Sequence, residues 1–335
     1  MLKLFHSIFG GEKEAGRYPE RLIEAAIERT VDGTDRRLLA LSGYKKQLRP
    51  SVIHAIDHVI ELVDGLPEPV PAGRTDYSAD PRLMALFASA EHMLQVFGNG
   101  PALNPFRVTS VRSDERVFAL LLAERREKNI LGNALVGNQL RRDVAQVTVN
   151  FSGHRLLEPA TNEAHTRRHL KRRAFDHLLT LALTRITEAR GHRANLSRQC
   201  DLLRSKLKTL ERSGWNFEAH QGAGHDPVAL QAELQATESK LAGLGADNGA
   251  LQASLDIVTE VLGHAEQQLW SRELVLHLDR MNVQRDEQDA SAQRIVLQEL
   301  HNARGIQLVI LPVSLVPAEL PPREDLLTAA ARYLT

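Results

Sequence analysis

The chain has 335 residues, 43% hydrophobic and 25% charged, a composition that excludes general disorder and allows roughly two or three domains. Its 42 basic and 42 acidic side chains balance, so total charge does not point to nucleic acid, a membrane surface or an acidic substrate, and aromatics at 4% are scarce for base stacking. A single cysteine, Cys200, excludes a disulfide framework and any multi-cysteine zinc site.

Residues 1–11 begin with an amphipathic peptide that sets Leu2, Phe5 and Phe9 on one side of two helical turns and ends at Gly10-Gly11. The peptide is too short to hold the charged, apolar and cleavage regions of a secretory signal. It could touch a membrane surface through residues 1–9 or dock on the protein's own core. The core is favoured, since two turns bind lipid weakly. No run reaches the ~18–20 apolar residues that span a bilayer, and the expected location is cytoplasmic.

Residues 12–112 read as a helical domain. Leu22, Ile23, Ala26 and Ile27 recur at helical spacing behind Pro19, and Val52, Ile53, Ile56, Val59, Ile60 and Val63 form a second stripe behind Pro50. The proline-rich stretch Pro67–Pro71 marks a boundary. Asp80-Pro81 is an N-cap with proline at the first helical position, opening a helix through Leu83, Phe87, Met93 and Val96 that ends at Gly98.

From Val117 the period shifts toward two. Val117 to Arg125 reads as a strand, Asn129 to Val136 as its hairpin return, and Val144 to Phe151 as a half-buried strand with a turn at Gly153. Strand patterns resume at Glu273 to Gln284, Arg294 to Leu300 and Ile306 to Val313, with a turn at Arg304-Gly305. Leu308 to Leu311 is apolar throughout, as in a strand buried on both faces. Residues 113–162 and 271–317 are therefore expected to form two halves of one β-rich domain, followed by a C-terminal helix over 318–335.

The interruption, residues 163–270, carries the clearest pattern in the chain. Alternating steps of four and three trace Phe175, Leu179, Ala182, Ile186, Ala189, Arg193, Leu196, Cys200, Leu203, Leu207 and Leu210. The same stepping from Leu230 runs through Leu234, Thr237, Leu241, Leu244, Asn248, Leu251, Leu255, Val258, Leu262, Ala265 and Leu269. Such seams are the signature of a coiled coil, here expected as an antiparallel hairpin whose facing residues have numbers totalling about 440. Arg193 then meets Asn248, a polar pair that fixes register at some cost in stability, and Cys200 packs on the seam as a small apolar residue. Residues 163–213 hold 13 Lys and Arg against 5 Asp and Glu, a net +8, and residues 218–269 hold 8 acidic residues against Lys240, a net −7. Arms of opposite sign attract one another. Gly191, Gly243, Gly245 and Gly249 gather beside the polar pair and suggest a bend.

Three chemistries compete with a purely structural arm. Arg167, Arg168, Lys171, Arg172 and Arg173 are dense enough to track phosphates, although no aromatic lies among them to stack a base. His54, His58 and Glu61, with Asp57, share one helical face and are weak metal candidates, because that face opposes the apolar stripe where solvated polar residues belong. Glu218, His220, His225 and Asp226 at the hairpin tip form a second such group in a glycine-rich loop. No phosphate loop, dinucleotide fingerprint or Gly-x-Ser-x-Gly element is present.

The segment Arg141-Arg142…Asn150-Phe-Ser152-Gly153 resembles the arginine and Asn/Asp-x-Ser signatures of PilZ domains, small β-barrels that bind cyclic di-GMP. The arginines stand closer to the Asn-x-Ser element than in that family, and Arg155 occupies its later glycine position.

The expected architecture is α+β: a helical N-terminal domain and a β-rich domain interrupted by a long antiparallel coiled-coil hairpin. The expected role is a cytoplasmic, non-enzymatic adaptor that binds a protein partner, or another copy, through the hairpin. No cofactor is expected. A nucleic-acid- or nucleotide-binding regulator is the second reading and a metal-dependent enzyme the third.

Overall fold

The computed structural model describes residues 18–109, 115–136, 139–212, 227–243 and 247–322. The predicted N-terminal peptide, the hairpin tip and most of the predicted C-terminal helix lie outside these residues. The fold is mixed α+β, with a six-stranded sheet that is antiparallel except for one short strand. Among the described residues the chain forms two compact units, one from 18–57 and 175–265, the other from 58–174 and 266–322.

The first unit is helical. It contains α1 (Glu20–Gly33), a 3-10 turn over Arg36–Ala40, the first part of α2 (Tyr44–Asp64) and most of α6 (Glu163–Arg212). Helices α7 (Pro227–Gly243) and α8 (Asp247–Gly263) complete it. α1 buries Leu22, Ile23, Ala26, Ile27 and Val31, the stripe that its spacing predicts. Phe175, Leu178, Leu179, Ala182 and Ile186 of α6 and Leu255, Val258, Val261 and Leu262 of α8 are buried as well.

Polar bonds tie these helices together. Arg29 grips Asp176 through two 2.9 Å bonds, and Gln47 donates to Asp256 at 2.8 Å. The phenol of Tyr18 donates to Asp57 at 2.5 Å, and burial, that bond and the Asp57 charge push its pKa well up. Gly33 permits the end of α1 to approach α6 closely, since a Cβ there would sit 2.8 Å from Leu179 Cδ1.

α2 corrects the sequence expectation. It begins at Tyr44 and carries Pro50 inside, although proline removes a backbone donor and a start at Ser51 looked natural. Burial of Leu48, Val52, Ala55 and Ile56 on one stripe offsets the lost bond.

The second unit is the sheet and its covering helices. β2 (Val117–Val136), β3 (Gln139–Ala160), β4 (Leu269–Leu278), β5 (Gln293–Asn302) and β6 (Gln307–Leu315) run in the order β3-β2-β6-β5-β4. Strands before and after residues 163–268 thus share one sheet. The proline-rich stretch supplies β1 (Val70–Pro71), which pairs parallel to β6 through Val70 and Val313. β6 is buried from Val309 to Leu315, as its apolar run implies.

One face of the sheet packs under α3 (Pro81–Leu86), α4 (Ala90–Asn99) and α5 (Asn104–Thr109), bringing Phe87, Met93 and Phe97 against Leu121, Leu297, Leu311 and Val313. The other face sets Leu120, Leu122 and Ile310 against Val63, Leu66 and Leu170. Asp80 caps α3 through Arg82 N at 2.8 Å, with Pro81 in its first turn. The single helix expected over 81–98 is instead two, because Ser89 accepts from His92 N and opens α4 as a new helix.

The long hairpin differs most from expectation. β2 is continuous for 20 residues and β3 for 22, so Asn129 to Val136 continues the first strand and does not return along it. β2 leaves β6 at Ala123 and continues with β3 alone, pairing as far as Val136 with Gln139. Gly153 is no turn: at φ 64° it sits in β3 beside a register shift between Leu122 and Glu124. A two-stranded ribbon is marginal by itself. Here Val149 N donates to Asn282 O and Gln284 N to Val147 O, each at 2.8 Å. Gln284 also bridges to Leu278, so the segment 282–284 links the two edge strands, β3 and β4.

Candidate functional site

In the first unit most of the described seam positions are buried or half-buried, whereas Ala189 and Leu210 are exposed. Leu196, Cys200 and Leu203 of α6 and Leu230 and Thr237 of α7 are buried, whereas Leu202, on another face of α6, is 56% exposed. Arg204 donates to Glu238 at 2.7 Å, Arg185 to Glu260 at 3.3 Å and Arg190 to Ser254 at 3.2 Å. Cys200 is a buried free thiol.

The seam is interrupted at Arg193, which is half-buried; the side chain of Asn248, its expected partner, lies outside the described residues. Around Arg193 the structure assembles residues that no sequence pattern connects. Asp35 caps the 3-10 turn by accepting from Arg37 N at 3.1 Å and from Arg37 Nε at 3.2 Å, and its second oxygen takes Arg190. Burial raises the Asp35 carboxyl pKa, but the bonds from Arg37 and Arg190 outweigh it and leave the group below the ordinary carboxylate value. Asp35 is therefore a charged anchor that orients two guanidinium groups. Its cap role was legible in the sequence as an aspartate ahead of Arg36-Arg37; its bond to a side chain 155 positions away was not.

The basic run is largely engaged inside its own unit. Arg167 donates to Glu163 at 2.7 Å, to Val63 O at 2.8 Å, and to Leu66 O and Pro67 O at 3.2 and 3.0 Å. It thereby closes the C-terminus of α2, whose last carbonyls lack helical partners. Lys171 pairs with Asp64 at 2.7 Å and Arg173 with Glu158 at 2.8 Å, whereas Arg168 and Arg172 are half-buried.

His54 and Glu61 are exposed and His58 is half-buried. His58 Nε2 lies 2.7 Å from Leu269 O, a bond that requires its proton and so leaves Nδ1 as the nitrogen with a lone pair. Asp57 receives the Tyr18 phenol. Among the described residues no group of three or more His, Cys, Asp or Glu side chains is arranged to hold a metal ion.

The Arg141–Gly153 segment lies along β3. Asn150 pairs opposite Arg126 and Ser152 opposite Glu124, Arg142 is exposed, and the Arg141 side chain lies outside the described residues. Beyond it His154 stacks on Phe87 at 4.5 Å with His92 6.2 Å away. Burial first, then the neighbouring His92, lowers the His154 pKa against a bond to the Leu86 backbone that raises it.

No described helix is long and apolar enough to cross a membrane. No family model matches the chain, and no curated protein or solved structure shows significant similarity to it.

Proposed function

We propose that the protein is a non-enzymatic cytoplasmic adaptor whose arm, an antiparallel coiled-coil hairpin of α6 against α7 and α8, docks a protein partner. The observation that carries this reading is the polar pairing along the helices. Arg204–Glu238, Arg190–Ser254 and Arg185–Glu260 have residue numbers totalling 442, 444 and 445. A near-constant total is what antiparallel helices in one register produce. The buried Leu196, Cys200, Leu203, Leu230 and Thr237 agree with the same seam.

The part of α6 in the first unit, residues 175–212, extends ~57 Å at ~1.5 Å per residue, a long surface well suited to docking. Leu202 and Val228 are exposed on these helices at 56% and 73%. Apolar side chains held in water on an elongated element are typical of a protein-binding surface. The engagement of Arg167, Lys171 and Arg173 within the chain leaves less positive charge for nucleic acid.

The test compares quantitative pull-downs by the full chain and by a Leu202→Glu, Val228→Glu variant. Both positions are exposed, so the variant is expected to keep its circular dichroism and melting temperature. The expected result is the loss of a defined set of bound proteins. An identical set from a folded variant would overturn the reading.

A further inference from the structure

We propose that the free edge of β4 binds an extended segment of a partner protein by strand addition, with a lysine or arginine of that segment opposite Glu273. β4 is the last strand of the sheet, and its antiparallel register with β5 is unbroken from Leu269 to Leu278. On its other side only Leu278 is bridged, to Gln284. The whole edge lies within the second unit.

Two bonds show which backbone groups turn outward. Leu269 O takes His58 Nε2 at 2.7 Å, and His277 O takes Arg285 N at 2.9 Å, so both carbonyls point away from β5. In a regular antiparallel strand every second residue aims its N–H and C=O to the same side. Ser271, Glu273 and Val275 therefore turn theirs outward as well. Among the described residues these backbone groups have no partner. The opening from Ser271 to Val275 is ~13 Å at ~3.3 Å per residue, room for a strand of about five residues.

An open edge pairs indiscriminately unless something shields it. On the opposite edge of the sheet, Gly153 and Glu158 interrupt β3 at positive φ, and Val283 bridges to its Thr148. β4 has no proline and no register shift, and its shield is charge: Arg272 and Glu273 are exposed. Arg272 is answered by Glu299 at 3.4 Å, whereas Glu273 lies opposite the uncharged Gln298 of β5. Among the described residues no cation pairs with Glu273. Its carboxylate rejects an acidic strand and favours one with a cation at that place. Val275, 39% exposed, lies opposite Val296 of β5 and extends that row toward a further β-branched residue. The occupant is thus an extended segment that runs antiparallel to β4 with a β-branched residue two positions ahead of a cation. Main-chain bonds give such a segment affinity, and these side chains select it. The inference is independent of the arm reading, because the arm belongs to the first unit.

Fluorescence anisotropy of the labelled peptide acetyl-Thr-Val-Thr-Lys-Glu-Thr-Val-amide with the full chain tests it. Run antiparallel, this peptide sets its lysine opposite Glu273 and its first valine opposite Val275. The expected result is saturable binding, weakened about fivefold or more by Glu273→Lys and recovered when that variant meets a peptide with glutamate in place of the lysine. N-methylation of the lysine's backbone nitrogen is expected to weaken binding about tenfold or more, because that N–H donates to Glu273 C=O. The methylated peptide needs no protein variant, so it decides the matter even where Glu273→Lys fails to fold. The Leu202→Glu, Val228→Glu variant is expected to bind the peptide unchanged. No saturable binding, equal binding of the methylated peptide, no recovery on charge exchange, or loss of binding in the arm variant would overturn the proposal. So would a dimer of the free chain that Glu273→Lys dissolves, since a second copy would then occupy the edge.

Discussion

Phe175→Ala is expected to destabilise the protein by about 3–5 kcal/mol, read as a lower midpoint of urea unfolding. Phe175 is completely inaccessible to solvent and is followed on α6 by the buried Leu178, Leu179 and Ala182. Truncation removes the transfer energy of the ring and leaves a cavity. The neighbouring Asp176 is held by Arg29, which limits how far the helix can move to fill it. Leu202→Ala on the same helix, at a 56% exposed position, is expected to change stability by no more than about 0.5 kcal/mol. Equal losses at the two positions would contradict the assignment of the inward face of α6.

Glu299→Ala is expected to cost about 3–5 kcal/mol, for a different reason. Glu299 lies on β5, 1% exposed, between Arg125 of β2 at 3.0 Å and Arg272 of β4 at 3.4 Å. His301 Nε2 is 2.9 Å from its other oxygen, out of line for a hydrogen bond, and the ring stacks on Trp270 at 5.6 Å. Arg125 also pairs with Glu127. Removing the carboxylate strands Arg125, only 19% exposed, without its buried partner. The double change Glu299→Leu with Arg125→Met removes both charges, and is expected to recover much of the loss, because an apolar pair carries no desolvation penalty. No recovery would mean that Glu299 acts mainly through Arg272 and His301.

The helical periods were legible because burial and spacing coincide. Ile23, Ile27, Leu203, Leu255 and Leu262 are all buried where their spacing puts them. Two late strands, β5 and β6, were legible for the same reason, with Gly305 at φ 78° forming the turn between them, whereas the strand expected over Glu273 to Gln284 is β4, which runs from Leu269 and ends at Leu278. Glu124 to Asn129 misled because the ribbon of β2 and β3 is largely wet there: Arg126, Glu127, Lys128 and Asn129 are exposed, so no alternation of burial marks the strand. Gly153 looked like a turn because glycine tolerates positive φ in a bulge as well as in a hairpin. The boundary between the units falls inside α2, between Asp57 and His58, where an uninterrupted helical stripe leaves no mark in composition.

The candidate sites were legible only in part. Arg193 stands out as a charge in an apolar seam, but Asp35 and Arg37 lie at the 3-10 turn, and only tertiary structure brings Asp35 to Arg190 on the helix of Arg193. The run Arg167–Arg173 looked like a phosphate track because charge density is visible in sequence. The carbonyls of Val63, Leu66 and Pro67 that satisfy Arg167 are not.

The proposed arm requires α6 to pair with α7 and α8 antiparallel within one chain. Pulsed electron paramagnetic resonance on a chain with Cys200→Ser, Arg204→Cys and Glu238→Cys, spin-labelled at both introduced cysteines, measures this directly. The predicted result is one narrow, short distance, as for helices about 8–10 Å apart between axes, unchanged on dilution with unlabelled chain. A broad or long distance, or a short one that disappears on dilution, would contradict it.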